Sequence, residues 1–317
     1  MSLVRMHGGR PLARGTSILG AAIGLVLFLA PHAGAHEPVF GIGPQTLFQG
    51  GIGVEEEWEF IKKGTLLKDG DDVSDPQDRE MRVNVLATEV AYGITSDLTA
   101  TVALPLVKKR FTNIVDGVRR KEISEGLGDV GLRMKYRFYR KDEVKARDHW
   151  ATVVGVKFPT GSDSETDSQG RLLDHTLQLG SGSWDFLVGL TGAKDSRRLY
   201  LWGDVLYKIT TEARGFEAGD ELNFDAAVGL RPYLPEYLEP DLVLVAELNG
   251  ELSGKNEEQG VKDPDSGGVS LFVAPGFMLA YRNWMVKGAI QFPIFQELNG
   301  SQLGVDYRSV LGLEYHY

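Results

Sequence analysis

The chain has 317 residues, a formal net charge of −10, 39 glycines and no cysteine. The acidic balance argues against a nucleic-acid partner, because binding to phosphates needs a basic surface. The lack of cysteine excludes disulfides, thiolate nucleophiles and cysteine-ligated zinc or iron–sulfur sites. The length fits one large barrel or two ordinary globular domains, so the pattern along the chain has to decide between them.

The first 35 residues have the pattern of a secretory signal peptide. Arg5, Arg10 and Arg14 form a positive region, the apolar run Ile18–Ala30 follows, and a small-residue cleavage pattern ends at Ala35. We expect cleavage after Ala35. The alternative, a membrane anchor, would need about 20 apolar residues, which is longer than this run.

The next segment, residues 36–50, is apolar and rich in glycine and proline, and it lacks the alternation of a strand. Wide barrels often hold a segment of chain inside the lumen. We therefore expect residues 36–50 to form a small lumen plug. The alternative is a loose periplasmic tail.

From residue 51 onwards, apolar and polar residues alternate with the two-residue period of a β-strand. Leu222, Phe224 and Val228 fall on one face of such a segment, and Asp225 and Arg231 fall on the other. The alternation predicts about a dozen strands, at 51–63, 80–93, 97–107, 127–140, 148–158, 182–194, 197–209, 218–231, 240–252, 267–281, 283–294 and 304–317.

The connections between these strands alternate between short and long. The short ones are 95–96, 141–147, 195–196, 232–239 and 282–283. The long polar ones are 64–79, 108–126, 159–181, 210–217, 253–266 and 295–303. This asymmetry predicts an all-β protein, a closed antiparallel transmembrane β-barrel with short periplasmic turns and longer external loops, at 51–317. Closure is required because lipid offers no hydrogen bonds to an open edge.

The closing strand ends on aromatic residues, with Tyr315 and Tyr317 alternating with Glu314 and His316. This resembles the terminal signal by which the barrel assembly machinery recognises outer-membrane proteins. The pattern predicts the cell outer membrane as the location and that machinery as a partner.

Several glycine-rich stretches resemble one outer-membrane family. They are Gly126–Gly131 with Lys135–Phe138, then Gly155–Gly161, then Leu179–Asp185, and more loosely the closing strand. The family is that of the meta-pathway of phenol degradation, whose members are often called transporters. The resemblance implies a barrel and a role in the passage of solutes or hydrocarbons, without fixing the solute.

Other functional patterns are weaker. Gly126, Gly128 and Gly131 match a dinucleotide fingerprint, but a charged loop precedes them and a strand follows, whereas that fingerprint needs a strand and then a helix. The mature histidines lie in no metalloprotease or nucleophile-elbow spacing, and no His-x-Ser pairing of the outer-membrane phospholipase type is present. We therefore expect no enzyme activity and no cofactor.

Asp163, Glu165 and Asp167 are weak candidates for metal ligands. They have calcium-like spacing, but Ser168 stands where an EF-hand needs glycine, so no metal is expected. His36, at the expected mature N-terminus, is a weaker candidate for copper. A basic connection is predicted to be a solvated external loop or a contact for lipopolysaccharide phosphates or anionic solutes. It consists of Lys108, Lys109, Arg110, Arg119, Arg120 and Lys121.

The inward-facing positions of the predicted strands carry charges of both signs. They are Glu55, Glu57, Glu59, Asp129, Arg133, Lys135, Arg137, Lys157, Asp185, Asp204, Lys208, Asp225, Arg231, Glu247, Glu251, Lys287, Asp306, Arg308 and Glu314. Whether the acidic row on one strand meets the basic row on another depends on the register of the strands.

We expect a passive channel for small solutes, hydrophobic or aromatic compounds among them, in contact with outer-membrane lipid and lipopolysaccharide. The first alternative is a structural or adhesive barrel with a closed lumen. The second is an outer-membrane enzyme.

Overall fold

The computed structural model describes residues 36–144, 146–236 and 238–317. The predicted signal peptide, residues 1–35, lies outside the described residues. Within these ranges the helical structure is a single 3-10 turn, His175–Leu177. No helix in the described chain is long and apolar enough to span a bilayer.

Twelve long strands in the described residues form one closed antiparallel sheet. They are β1 Ile52–Lys68, β2 Glu80–Thr95, β3 Leu98–Val115, β4 Val130–Asp142, β5 Ala146–Phe158, β6 Asp185–Ser196, β7 Leu199–Ile209, β8 Glu221–Leu230, β9 Asp241–Ser253, β10 Gly268–Tyr281, β11 Trp284–Leu298 and β12 Ser301–His316. Each strand pairs with the next along the chain, so the architecture is an up-and-down barrel.

The barrel closes where β12 pairs with β1. Their register runs from Gly53 opposite His316 to Lys68 opposite Ser301, with a bulge around Lys63. Because this ladder satisfies the last two free edges, every barrel strand has two neighbours. The predicted fold class, a closed antiparallel barrel of about twelve strands, is confirmed.

The two ends of the barrel differ. At one end, here called the turn end, residues 96–97, 197–198 and 282–283 make two-residue turns between paired strands. The predicted turn at 282–283 is confirmed, and the predicted turns at 95–96 and 195–196 lie one or two residues further along the chain. The other end, the loop end, carries most of the long connections.

The predictions of long loops at 108–126 and 295–303 are wrong. Residues 108–126 continue β3 and turn back at Asp116 and Gly117 into the strand Val118–Leu127, which pairs with β3. Both turn residues have positive φ, as a tight hairpin turn requires. Residues 295–303 likewise form a tight turn at 299–300 between β11 and β12. These strands extend past the apolar band, where the alternation of residues is no longer apolar against polar.

Short strands complete the loop end. Asp71–Asp72 pairs with the end of β1. Phe216–Glu217, Glu257–Glu258 and Val261–Lys262 form a separate small sheet that links two of the loops.

The outer surface of the barrel is apolar. On β3, Val102, Leu104 and Leu106 are 38%, 42% and 50% exposed. Residues that point inward are shielded from solvent. On β9, for example, Leu248 is 42% exposed, but its neighbour Glu247 is only 4% exposed. The apolar side chains therefore face the lipid and the polar side chains face the lumen.

Aromatic pairs lie on the outer surface towards both ends. The rings of Trp284 and Tyr315 are 4.7 Å apart at the turn end, and those of Phe158 and Trp184 are 5.2 Å apart towards the loop end. Amphipathic rings favour the boundary between lipid and water, so this arrangement fits two interfacial girdles.

Leu248 lies near the middle of β9 on the outer surface, and it provides a test of the lipid-facing assignment. We expect Leu248→Arg to lower the free energy of unfolding by about 2–4 kcal/mol, because a cation would enter hydrocarbon. The conservative Leu248→Met variant should change it little. Urea unfolding in lipid vesicles measures both. Equal unfolding midpoints for the two variants would contradict the assignment.

Candidate functional site

The N-terminal segment, residues 36–50, crosses the lumen and is held there by carboxylates of the barrel wall. The amides of Val39 and Phe40 donate to the two carboxylate oxygens of Glu247 on β9, at 2.6 and 3.0 Å. The amide of Ile42 donates to Asp204 on β7 at 2.9 Å. Charge-assisted bonds of this kind are among the strongest that a backbone makes.

The opposite wall of the barrel binds the same segment. Lys135 on β4 donates to the carbonyl of Gly43 at 2.9 Å and pairs with Glu37 at 2.5 Å. The amide of Leu47 donates to the hydroxyl of Thr99 on β3 at 2.9 Å. The segment therefore bridges the lumen from wall to wall.

Apolar contacts add to these hydrogen bonds. Val39 is buried in a small cluster with Ala289 on β11 and Val310 on β12, and Phe40 packs against it. Gly41 lies so close to Asp204 that an added Cβ would meet its carboxylate at 2.7 Å. Residues 39–43, here called the tip of the segment, therefore fit closely against the barrel wall.

The acidic row of β1 is matched by a lysine of β11. Lys287 lies 2.7 Å from Glu55 and 3.5 Å from Glu57, and it is largely buried. Glu59, the third acid of the row, lies within electrostatic reach of Arg308.

The basic row of β4 has other partners. Arg133 pairs with Glu89 on β2 at 3.0 Å, and Lys135 pairs with Glu37. Arg137 lies at the turn end, where it donates to Asp97 and to the carbonyl of Ser96, both at 2.7 Å. The acidic row of β1 and the basic row of β4 therefore do not pair with each other.

The prediction that Asp306 faces the lumen is wrong, because Asp306 lies 3.1 Å from Lys62, on the outer face of β1. Other predicted lumen residues of the second half of the barrel lie in pairs. Lys208 lies 2.7 Å from Glu221, and Arg308 lies 3.1 Å from Glu251. Arg231 pairs with Asp241 at the turn end. Asp225 accepts from Asn249, which in turn accepts from Gln291. The lumen is lined by cross-linked polar groups, as buried polar atoms require.

Asp129 lies between the strand Val118–Leu127 and β4, at the loop end. It accepts from the amides of Gly161 and Ser181, each at 2.9 Å, and lies 3.3 Å from Lys157. Lys157 also contacts Asp185 at 2.6 Å. This group holds the two ends of the long loop 159–184 together at the rim of the barrel.

The same loop folds inward over the mouth of the barrel. Leu177 is 2% exposed, and its carbonyl accepts from Ser124. Lys109 on β3 donates to the carbonyl of Gln178 at 2.6 Å, so its side chain anchors the loop. The ring of His175 stacks on that of Phe216 with centroids 4.1 Å apart. The sequence predicts Lys109 to be part of a basic external stretch. Because side chains alternate along a strand, Lys109 points away from Lys108, and this alternation is the sequence signal for its inward position.

Another loop at the loop end is fixed by Asp220. Hydrogen bonds from the Tyr207 hydroxyl at 2.6 Å and the Thr210 amide at 2.9 Å hold the pKa of Asp220 below its usual range. Asp220 thus ties one end of this loop to the other.

Two cavities lie in the described part of the barrel, and the N-terminal segment lines the first of them. One, of about 300 Å³, lies towards the turn end beside Glu55, Arg133 and Lys287. Another, of about 750 Å³, opens towards the loop end beside Lys63 and Glu251. The barrel is therefore wide enough to retain free space around the segment it holds.

The weak metal candidates are not brought together. Asp163 lies 3.1 Å from Arg214. Asp167 accepts from the Arg171 amide within its own turn, and such bonds hold the pKa of Asp167 below its usual range. Across the described residues, no group of three or more acidic or histidine side chains has the arrangement of a metal site.

The closing aromatic residues lie at the seam on the turn end. Tyr315 contacts Trp284 on the outer surface, and the backbone of Tyr317 exchanges hydrogen bonds of 2.7 and 2.9 Å with Ile52. Their proposed role as an assembly signal stays a prediction.

Residues 69–296 match the model of a family described as "Putative MetA-pathway of phenol degradation". The chain belongs to this family. The match spans most of the barrel, including the walls that hold the N-terminal segment. No sequence match was found among functionally curated proteins.

Among solved structures, this family member is similar to the COG4313 outer membrane channel from Pseudomonas putida F1. The TM-score is 0.66 at 17% identity, over 89% of this chain and 100% of the other. The translocator domain of autotransporter NalP from Neisseria meningitidis aligns at a TM-score of 0.41 and 13% identity, over 85% of this chain and 89% of the other. The first likeness supports the barrel fold, and the second is too low to carry an argument.

The Lys287 cluster gives a test of the lumen geometry. We expect Lys287→Met to lower the free energy of unfolding by about 3–5 kcal/mol, because it leaves the carboxylates of Glu55 and Glu57 without a buried partner. Adding Glu55→Gln to this variant should restore part of the loss. Urea unfolding of the refolded barrel measures both variants. A full-sized loss in the double variant would contradict the pairing.

Proposed function

We propose that the protein is an outer-membrane channel for the passive passage of small solutes, hydrophobic or aromatic compounds among them. The observation that carries this proposal is a closed barrel that holds two cavities, one lined partly by the bound N-terminal segment and one that opens towards the loop end. The likeness to an outer membrane channel supports it. In this assignment the turn end faces the periplasm, and the loop end faces the cell exterior.

Residues 36–50 act as a lumen plug in this proposal. The plug is bound by a few hydrogen bonds at its tip, to Glu247, Asp204 and Lys135. Its displacement would join the two cavities into one path. No energy source is needed, because the solute moves down its own gradient.

Removing the acceptors at the tip tests the plug. We expect the double variant Glu247→Ala with Asp204→Ala to raise the single-channel conductance in planar bilayers. The amides of Val39, Phe40 and Ile42 lose their partners in the wall, and the plug spends more time undocked.

The matched control is Glu247→Gln with Asp204→Asn, which removes the same two charges but keeps an acceptor oxygen at each site. Its conductance should stay closer to that of the wild type. If both double variants raise conductance equally, lumen charge and not plug docking sets the conductance.

The loop-end cavity has an excess of negative charge. In the described chain, seven carboxylates border it against three cationic side chains. The carboxylates are those of Glu122, Asp174, Glu221, Glu251, Glu258, Asp263 and Asp265, and the cations are Lys63, Arg79 and Arg308. A cavity lined by one sign of charge concentrates ions of the opposite sign, so we expect cations to pass in preference to anions.

Glu122 and Glu258 border this cavity and have no ion-pair partner among the described residues, so they suit a test of selectivity. We expect Glu122→Gln with Glu258→Gln to reduce the cation preference, measured as the reversal potential under a KCl gradient. Glu56→Gln is the control, because Glu56 is exposed on the outer surface, where its carboxylate accepts from Thr88. An equal shift in the control would contradict a role of the cavity.

The alternative is a structural or adhesive barrel with a closed lumen. The wall-to-wall contacts of residues 36–47 favour this second candidate. Current through the wild-type protein in planar bilayers separates the two, because a sealed lumen conducts nothing.

The likeness to an outer membrane channel and the lack of an acid–base constellation in the sequence favour a non-enzymatic role. Outer-membrane lipid, lipopolysaccharide and the barrel assembly machinery are the proposed partners.

A further inference from the structure

Three cationic side chains lie side by side across neighbouring strands near the loop end. Lys62 on β1 is directly opposite Arg82 on β2, and Arg82 is directly opposite Arg110 on β3. Directly opposed residues have Cβ atoms about 4.5–5.5 Å apart. This row of three cations is not visible as a run in the sequence, because each residue comes from a different strand.

The row belongs to the outer surface. Along β3, Arg110 shares its face with the exposed Leu104 and Leu106. Along β2, Arg82 shares its face with Leu86, which is 43% exposed. Lys109, the residue before Arg110, points into the barrel and binds the loop 159–184.

The three cations of the row outnumber the carboxylates that lie beside them. Glu80 lies 2.6 Å from Arg82 and 3.8 Å from Lys62, and Asp306 lies 3.1 Å from Lys62. Arg110 has no ion pair or hydrogen bond of its side chain to any described residue. Like charges directly opposite each other destabilise a sheet, so an anion bound between Arg82 and Arg110 would relieve the repulsion.

Further cations extend the row. Lys108 lies on the same face of β3, two residues before Arg110, and it pairs with Glu125. Lys121 is exposed on the strand Val118–Leu127, opposite Thr112. Together, Lys62, Arg82, Lys108, Arg110 and Lys121 are called the basic belt below.

An apolar surface begins directly beside the basic belt on the side of the turn end. Leu106 and Leu127 are opposite each other, and they are 50% and 62% exposed. Leu86 lies opposite Leu106, and Trp58, 42% exposed, lies opposite Leu86. A ligand that fits this surface has acyl chains on one side and anionic groups on the other.

We propose that the basic belt binds the phosphate groups of a phosphorylated glycolipid of the lipid A type in the outer leaflet. Arg82 and Arg110 supply bidentate donors to one phosphate, a geometry that guanidinium groups favour. The acyl chains lie against Leu86, Leu106 and Leu127. This inference rests on the proposed outer-membrane location, with the loop end outside.

The test measures the binding of lipid A to the purified barrel in detergent by native mass spectrometry. The probes are lipid A with two phosphates and the same lipid with its phosphates removed. We expect the wild type to prefer the phosphorylated form. We expect Arg82→Gln with Arg110→Gln to weaken the binding of that form about tenfold, since charge-assisted hydrogen bonds are lost.

The matched control is Lys194→Gln with Arg282→Gln, which removes two exposed cations at the turn end. It should leave lipid A binding unchanged. Equal weakening in the control would overturn the proposal, because net charge would then explain the effect. Equal binding of both lipids by the wild type, or unchanged binding by the Arg82 and Arg110 variant, would also overturn it.

Inorganic phosphate distinguishes the lipid from a free anion. At millimolar concentration we expect it not to displace lipid A, and full displacement would overturn a glycolipid site. Heat-modifiable migration on a gel checks that each variant is folded. The conductance of the Arg82 and Arg110 variant should equal that of the wild type, because the basic belt lies outside the lumen. A failed lipid test and a failed channel test are therefore separate results.

Discussion

The structure depends on the ladder between β1 and β12. Lipid provides no partner for a free backbone amide or carbonyl, so a sheet that crosses a bilayer must close on itself. Closure then determines the two surfaces: alternate residues of each strand face lipid, and the others face an enclosed space. The apolar outer wall and the charged lumen are both consequences of that single pairing.

An enclosed lumen sets a second requirement, because its polar side chains have limited access to water. The barrel meets this requirement with neighbouring pairs, such as Lys287 with Glu55 and Arg308 with Glu251. Other polar side chains of the lumen are satisfied by the N-terminal segment, whose amides donate to Glu247 and Asp204 and whose carbonyl accepts from Lys135. The segment therefore contributes to the polar balance of the lumen.

Much of the fold could be predicted from sequence, because the two-residue period is a local property and survives without knowledge of the neighbours. The pairing of charges could not be predicted, since it depends on register: Glu55 meets Lys287 from the opposite end of the chain, and not Arg133. The hairpin at 116–117 lies in a segment that the sequence predicts to be a loop, because its strands carry charged residues on both faces. The bulge at Lys63 shifts the register in a way that no spacing in the sequence reveals.

The seam also has a consequence for how the molecule is made. Its two strands are the first and last of the barrel, so their pairing has the largest sequence separation in the fold. Closing so long a loop costs more chain entropy than closing a local hairpin, so we expect this ladder to form after the hairpins. Until then, two unpaired edges are open to any passing strand. We therefore expect the barrel to be most open to aggregation while the edges of β1 and β12 are still unpaired.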